Sequence, residues 1–173
     1  MYTVTRQIGI DAGHRIPTHG SKCHHLHGHR YTIEATCRAD LLQRDGEQTD
    51  MVLDFGFLKM EMMEIIDGPC DHGLILALGD AEALTMFAPP GRPAEAWLGG
   101  LASIVVAEGF CSTSDCRLGQ KLYVVPFIPT AERLARHWFE RLASPVLRRS
   151  GGLAELLSVQ VWETPNCRAD FTR

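Results

Sequence analysis

Lys22 to His29 reads Lys-Cys-His-His-Leu-His-Gly-His, with four histidines and one cysteine in seven positions from Cys23. His27 and His29 flank one glycine. On an extended chain, residues two apart share a face, so both imidazoles can converge on one point. Neutral imidazole suits zinc, copper, iron or nickel, and a cytosolic histidine-rich site most often means zinc. Cys23 is close enough to be a further ligand or a reactive thiolate beside the metal. The competing reading is a polar loop that is merely rich in histidine.

A third histidine decides between them. Residues 2–10 read as a first strand, with Tyr2, Val4, Ile8 and Ile10 on one parity. Asp11-Ala12-Gly13 is expected to bend the chain before His14. The segment after the His-rich loop is the clearest strand in the sequence. Tyr31, Ile33, Ala35, Cys37 and Ala39 alternate with Arg30, Thr32, Glu34, Thr36 and Arg38, giving one apolar and one polar face. His27 and His29 share the apolar parity. Antiparallel pairing of the two strands would bring His14 opposite His27 and His29. Three imidazoles with an open fourth position is the pattern of a catalytic zinc site.

Two further places could do chemistry. Asp71-His72 follows a helix stop and precedes the apolar run Leu74–Leu78. It reads either as a surface turn or as a proton-shuttling imidazole with a carboxylate in its network; adjacent side chains need not touch. Glu163 continues the apolar parity of Leu157, Val159 and Val161 on the final predicted strand, 156–164. Either that strand has reached solvent, or the carboxylate accepts hydrogen bonds from adjacent N–H donors such as a pterin or guanine-like ring presents.

These residues must be held by a frame. Residues 41–51 are expected to form a hairpin turn and Met51-Val52-Leu53 a short strand. Asp54 caps a helix with the stripe Phe55, Leu58, Met62 and Ile65, stopped at Gly68-Pro69. Residues 79–120 read as an elaboration, with helix-compatible stretches at 81–87 and 93–107. A strand follows at 121–127. Thr130 caps a second helix, with Glu132 in its first turn and Leu134, Ala135, Trp138, Phe139 and Leu142 as its buried stripe. Pro145 is expected to end or kink it.

The chain has 173 residues and is 45% hydrophobic, enough for a single domain with a real core. A net charge of −4 without a basic stripe argues against a nucleic-acid partner. Residues 1–10 alternate rather than forming an apolar core, which does not read as a signal peptide, and no apolar run reaches membrane-spanning length. A cytoplasmic protein with reduced thiols is expected. Of the six cysteines, Cys37 and Cys70 look buried, and Cys111 and Cys116 lie in what reads as a polar loop.

Six motifs in order resemble the 6-pyruvoyl-tetrahydropterin synthase superfamily of the tunnelling fold. They are Ala12-Gly13-His14-Arg15, Cys23 to His29 as C-x-x-x-H-G-H, Asp54-Phe55-Gly56 with Leu58-Lys59, Asp71-His72, Pro129-Thr130-Ala131-Glu132, and Glu163-Thr164. The three-residue gap between Cys23 and His27 resembles the bacterial carboxy-forming branch, the 6-carboxytetrahydropterin synthases of queuosine and 7-deazapurine biosynthesis. The resemblance implies an α+β subunit with a four-stranded antiparallel sheet, two helices on one face, and 79–120 as an insertion. It also implies a hexamer built as a dimer of trimers.

For the site, the resemblance implies Zn2+ on His14, His27 and His29, with Cys23 as general base. Asp71 and His72 would exchange protons, and Glu163-Thr164 would anchor a pterin. Arg15 and Lys22 are candidates for a substrate triphosphate. The expected substrate is 7,8-dihydroneopterin triphosphate, giving 6-carboxytetrahydropterin, acetaldehyde and triphosphate. Pyruvoyl formation and epimerisation share this site logic. A structural zinc protein closed by Cys23 and an inactive pterin-binding module are the remaining alternatives.

Overall fold

The computed structural model describes all 173 residues. In chain order the elements are β1 (Tyr2–His14), β2 (His27–Ala39), α1 (Phe55–Met62), a π-turn (Met63–Asp67), α2 (Gly68–Cys70), β3 (Gly73–Ala77), α3 (Ala81–Met86), α4 (Ala94–Glu108), β4 (Cys111–Thr113), β5 (Leu122–Val125), α5 (Ala131–Arg149), β6 (Glu155–Thr164) and β7 (Cys167–Thr172). No helix is long and apolar enough to cross a membrane.

The expected four-stranded antiparallel sheet is instead a seven-stranded mixed sheet in the order β4-β5-β3-β1-β2-β6-β7. β3 runs parallel to both β1 and β5. Its residues Ile75, Leu76 and Ala77 are buried, as a strand covered on both faces requires. The 156–164 strand is not the last. β6 turns at Pro165-Asn166 and pairs antiparallel with β7. Cys167, Ala169 and Phe171 alternate with Arg168, Asp170 and Thr172, a period-two strand signal that taking 156–164 as the final strand leaves unused.

The chain divides into two compact units: 1–10, 30–68 and 131–173 form one, and 11–29 and 69–130 the other. β1 and β2 each contribute residues to both.

In the first unit, the predicted alternation of β2 holds. Tyr31, Ile33, Ala35, Cys37 and Ala39 are buried, and β2 pairs antiparallel with β6. The predicted stripe of α5 is buried as well, with His137 and Val146 added. Asp54 caps α1 by accepting the Phe57 N–H at 2.9 Å. The stripe of α1 is displaced from expectation: Phe55 is exposed and Phe57 is buried with Leu58, Met62, Ile65 and Ile66.

Neither proline breaks its helix. Pro69 has no N–H for the Ile65 carbonyl four residues back; the Arg141 guanidinium donates to that carbonyl instead, at 3.0 Å. Pro145 lies inside α5, flanked by the buried anchors Leu142 and Val146. Residues 51–53 form no strand, while 41–51 turn back on themselves, the Gln43 N–H donating to the Met51 carbonyl at 3.0 Å and the Asp50 N–H to the Gln43 carbonyl at 2.9 Å.

The second unit has its own core. Leu76, Leu84, Trp97, Leu101, Val105, Cys111, Cys116, Leu122 and Val124 pack together. Asp80 caps α3 through the Ala83 N–H, and Gly109 ends α4 in the left-handed region, φ 80°, where glycine carries no Cβ penalty. Cys111 is a buried strand residue rather than part of a polar loop, and both Cys111 and Cys116 are free thiols pushed upward in pKa by burial.

Candidate active site

No bend separates His14 from β1. The strand continues to His14, and Ile8, Ile10, Ala12 and His14 alternate as its buried side chains. β1 and β2 are hydrogen-bonded neighbours. A Cβ on Gly28 would approach the Ala12 carbonyl, while the Thr5 and Thr36 hydroxyls bond at 2.8 Å. Numbering therefore rises on one strand as it falls on the other, and the pair is antiparallel. The parity of β2 also extends unbroken to His29 and His27.

These registers bring three imidazoles together. Ring centroids lie 4.6 Å apart for His14–His27, 5.1 Å for His14–His29 and 4.9 Å for His27–His29. One nitrogen from each falls within 4.8 Å of the others. His14 Nδ1–H donates to the Pro129 carbonyl at 2.9 Å, and His27 Nδ1–H to the His25 carbonyl at 2.8 Å. Those bonds fix the tautomers and leave Nε2 of each ring as a lone pair, as metal-ligating histidines are oriented. Burial pushes His14 down to about 4, against the opposing Pro129 bond and with His27 and His29 adding to the fall. His29 is also held below its usual value, by burial and then by His27. Burial therefore disfavours the charged form of His14 and His29, which eases metal binding. Three convergent imidazoles fit a zinc ion, and the Cys23 thiol does not join their cluster.

The glycine before His14 is needed for this approach. A Cβ at Gly13 would lie 2.6 Å from Leu74 Cδ2 and 3.2 Å from the His27 carbonyl.

Cys23 is half-buried in a single 3-10 turn, Lys22–His24. Its carbonyl accepts the Ile16 N–H at 2.9 Å, closing the loop between the strands. Lys22 is exposed on the same turn. His24 and His25 stack at 3.8 Å on the exposed side. The Arg15 guanidinium meets Asp80 at 3.1 Å and Glu82 at 2.9 Å. Both contacts are with carboxylates, so Arg15 ties the end of β1 to α3.

Asp71 and His72 touch. His72 Nδ1 and Asp71 Oδ2 are 2.7 Å apart, made possible because His72 has φ 55°. Asp71 Oδ1 accepts the Asp11 N–H at 2.8 Å. Burial alone would raise the Asp71 pKa; the bonds from Asp11 and His72, with the His72 and Lys121 charges, hold it below the usual carboxylate range. The carboxylate thus keeps the proton of His72 on Nδ1 and leaves Nε2 as the basic nitrogen. A cleft of about 440 Å³ is lined by Asp11, Gly13, His29, His72, Leu74 and Gln120, among others.

A family model described as 6-pyruvoyl tetrahydropterin synthase matches residues 3–173. The chain belongs to the 6-pyruvoyl tetrahydropterin synthase family. It is 34% identical to the 6-carboxy-5,6,7,8-tetrahydropterin synthase of Rickettsia bellii over 167 residues, covering 96% of this chain and 97% of that protein. The protein of the same name from Haemophilus influenzae is 26% identical, with 99% of each covered. Among solved structures, an uncharacterized protein from Wolinella succinogenes superposes with TM-score 0.69 at 23% identity, covering 99% and 98% of the two chains. The Caenorhabditis elegans 6-pyruvoyl tetrahydropterin synthase gives 0.58 at 19%, covering 99% and 95%. These two likenesses establish the fold.

In the other compact unit, Glu163 is half-buried at a register shift between β6 and β7, where a bulge re-aims a side chain. Thr164 lines a cavity of about 360 Å³ with Gln7, Arg30, Glu34 and Trp162. The sequence reading missed three groups of this family member. They are the Asp11 backbone, the Pro129 carbonyl that orients His14, and Lys121, which donates to the Asp71 carbonyl at 2.7 Å. The first two act through main-chain atoms, which carry no residue-type signal. In the sequence Pro129 reads only as part of a helix start.

Proposed function

We propose that this chain is a zinc-dependent 6-carboxytetrahydropterin synthase converting 7,8-dihydroneopterin triphosphate to 6-carboxytetrahydropterin, acetaldehyde and triphosphate, in queuosine and 7-deazapurine biosynthesis. The observation that carries the reading is His29 and the hydrogen-bonded Asp71–His72 pair on one cleft, with His14 and His27 clustered about His29. The relatives' printed name, 6-carboxy-5,6,7,8-tetrahydropterin synthase, supports a pterin product.

His14, His27 and His29 would hold the zinc, which when bound supplies Lewis acidity for the substrate side-chain oxygens. The chain's own groups move the protons. Cys23 removes a proton from the substrate side chain, and His72 exchanges one through Nε2 while Asp71 stabilises the imidazolium formed. Glu163 and Thr164 accept and position the pterin N–H groups. Lys22 is the candidate for the triphosphate; Arg15 keeps its carboxylate partners. The working assembly is a hexamer of two stacked trimers in the cytoplasm.

Mass spectrometry of the products formed from dihydroneopterin triphosphate by the zinc-loaded protein tests this. The 6-carboxy product with acetaldehyde is expected. Formation of 6-pyruvoyl-tetrahydropterin alone would overturn the assignment.

A further inference from the structure

The peptide unit joining Asp71 to His72 is held at both poles. Its N–H, from His72, donates to the Asp11 carbonyl at 2.7 Å. Its C=O, from Asp71, accepts Lys121 Nζ at 2.7 Å. Between them His72 sits at φ 55°, a left-handed region that an L residue keeps only where its surroundings over-determine it. The His72 side chain is 78% exposed, so little packing can supply that enforcement. The restraint comes from hydrogen bonds to the peptide and to the Asp71 carboxylate.

The path of Lys121 is also built. β3 and β5 are parallel with Leu74 beside Leu122, which places Lys121 next to Gly73. The Lys121 carbonyl accepts the Leu74 N–H at 3.0 Å and a bond from the Gln120 amide at 3.1 Å. A Cβ on Gly73 would meet the Lys121 carbonyl at 3.1 Å and Lys121 Cδ at 3.2 Å. The bare glycine lets the lysine stem cross the chain and reach back to the Asp71 carbonyl.

We infer that Lys121, immediately before β5, is a positioning residue: its ammonium locks the Asp71–His72 peptide so that the imidazole faces the cleft in one orientation. Lys121 needs no contact with substrate. This rests on the proton-exchange role proposed for His72. Misplacing such a group by about 1 Å is worth up to about a hundredfold in rate.

The test is Lys121→Met, which keeps the stem and removes the ammonium. With dihydroneopterin triphosphate, kcat is expected to fall roughly ten- to hundredfold while KM stays within about twofold and zinc content is unchanged. A kcat within about twofold of the parent, or a loss in KM alone, would overturn the inference. A second readout does not depend on the reaction. The ring signals of His72 in nuclear magnetic resonance spectra are expected to shift and broaden in K121M. If they are unchanged, the inference fails even where the parent turns over no pterin, a result that would sink the proposed activity separately. If K121M does not fold, Lys121→Arg carries the test. Its cationic N–H donor should recover most of kcat and the parent His72 signals; recovery of neither overturns the assignment.

Discussion

The histidine cluster and the Asp71–His72 pair serve one cleft but are held by opposite means. His14 is 1% exposed and ends a strand whose alternation already aims it inward. His27 and His29 follow the same rule on β2. The cluster needs only regular strands, close approach at Gly13 and two backbone carbonyls. The side chain of His72 is 78% exposed, in a left-handed backbone conformation, and is held by Asp11, Asp71 and Lys121. A metal centre must present fixed lone pairs, so burial in a regular sheet suits it. A proton-exchanging group must meet substrate and water, so its rigidity comes from tethers.

Breaking the first region should cost the most. His14→Ala is expected to abolish both zinc binding and turnover, read by metal analysis and product assay. Cys23→Ala lies outside the cluster and separates the two losses. Turnover should fall roughly 10³-fold with zinc retained; parallel loss of zinc would return Cys23 to the ligands. Asp71→Asn attacks only the second region. It removes the carboxylate that holds the His72 proton on Nδ1, so kcat should drop on the order of 10²-fold while zinc stays bound. Unchanged kcat would leave the pair a surface turn.

The mildest probe compares two buried imidazoles. Burial pushes His137 down to about 4, with Arg141 adding to the fall and Glu140 opposing it, as low as His14, but His137 lies in α5 and takes no part in the cluster. In the unfolded chain it binds a proton near pH 6.5, whereas the folded protein binds it only near 4. Its contribution to stability is therefore present above the unfolded value and is lost as pH falls through this window. Between pH 7 and 5 the loss is about 2 kcal/mol. Urea unfolding at both pH values should show a stability loss in the parent, to which His14 also contributes, that is smaller by about 2 kcal/mol in His137→Gln.

The sequence made the first region legible and the second barely so. Period-two alternation placed His27, His29 and the β2 core, and pairing of the first two strands predicted His14 opposite them. The cap of α1 and the stripes of α1 and α5 were readable because they depend on neighbours in sequence, although Phe57 replaced Phe55 on the buried side. Sheet order was not readable. β3 joins β1 and β5 through contacts roughly fifty to sixty residues apart, and no local pattern encodes a parallel partner. Pro69 misled because compensation came from elsewhere, from Arg141, and Pro145 lies inside α5 rather than ending it. The contact between Asp71 and His72 accompanies a positive φ at a histidine, held by Asp11 and Lys121, which are distant in sequence.

The account turns on a three-histidine metal centre with one position open. X-ray absorption at the zinc edge on the substrate-free protein tests it directly. Three nitrogen neighbours at about 2.0 Å and one light oxygen neighbour are predicted, with no sulfur. A sulfur neighbour at about 2.3 Å would make Cys23 a ligand, close the site and contradict the account.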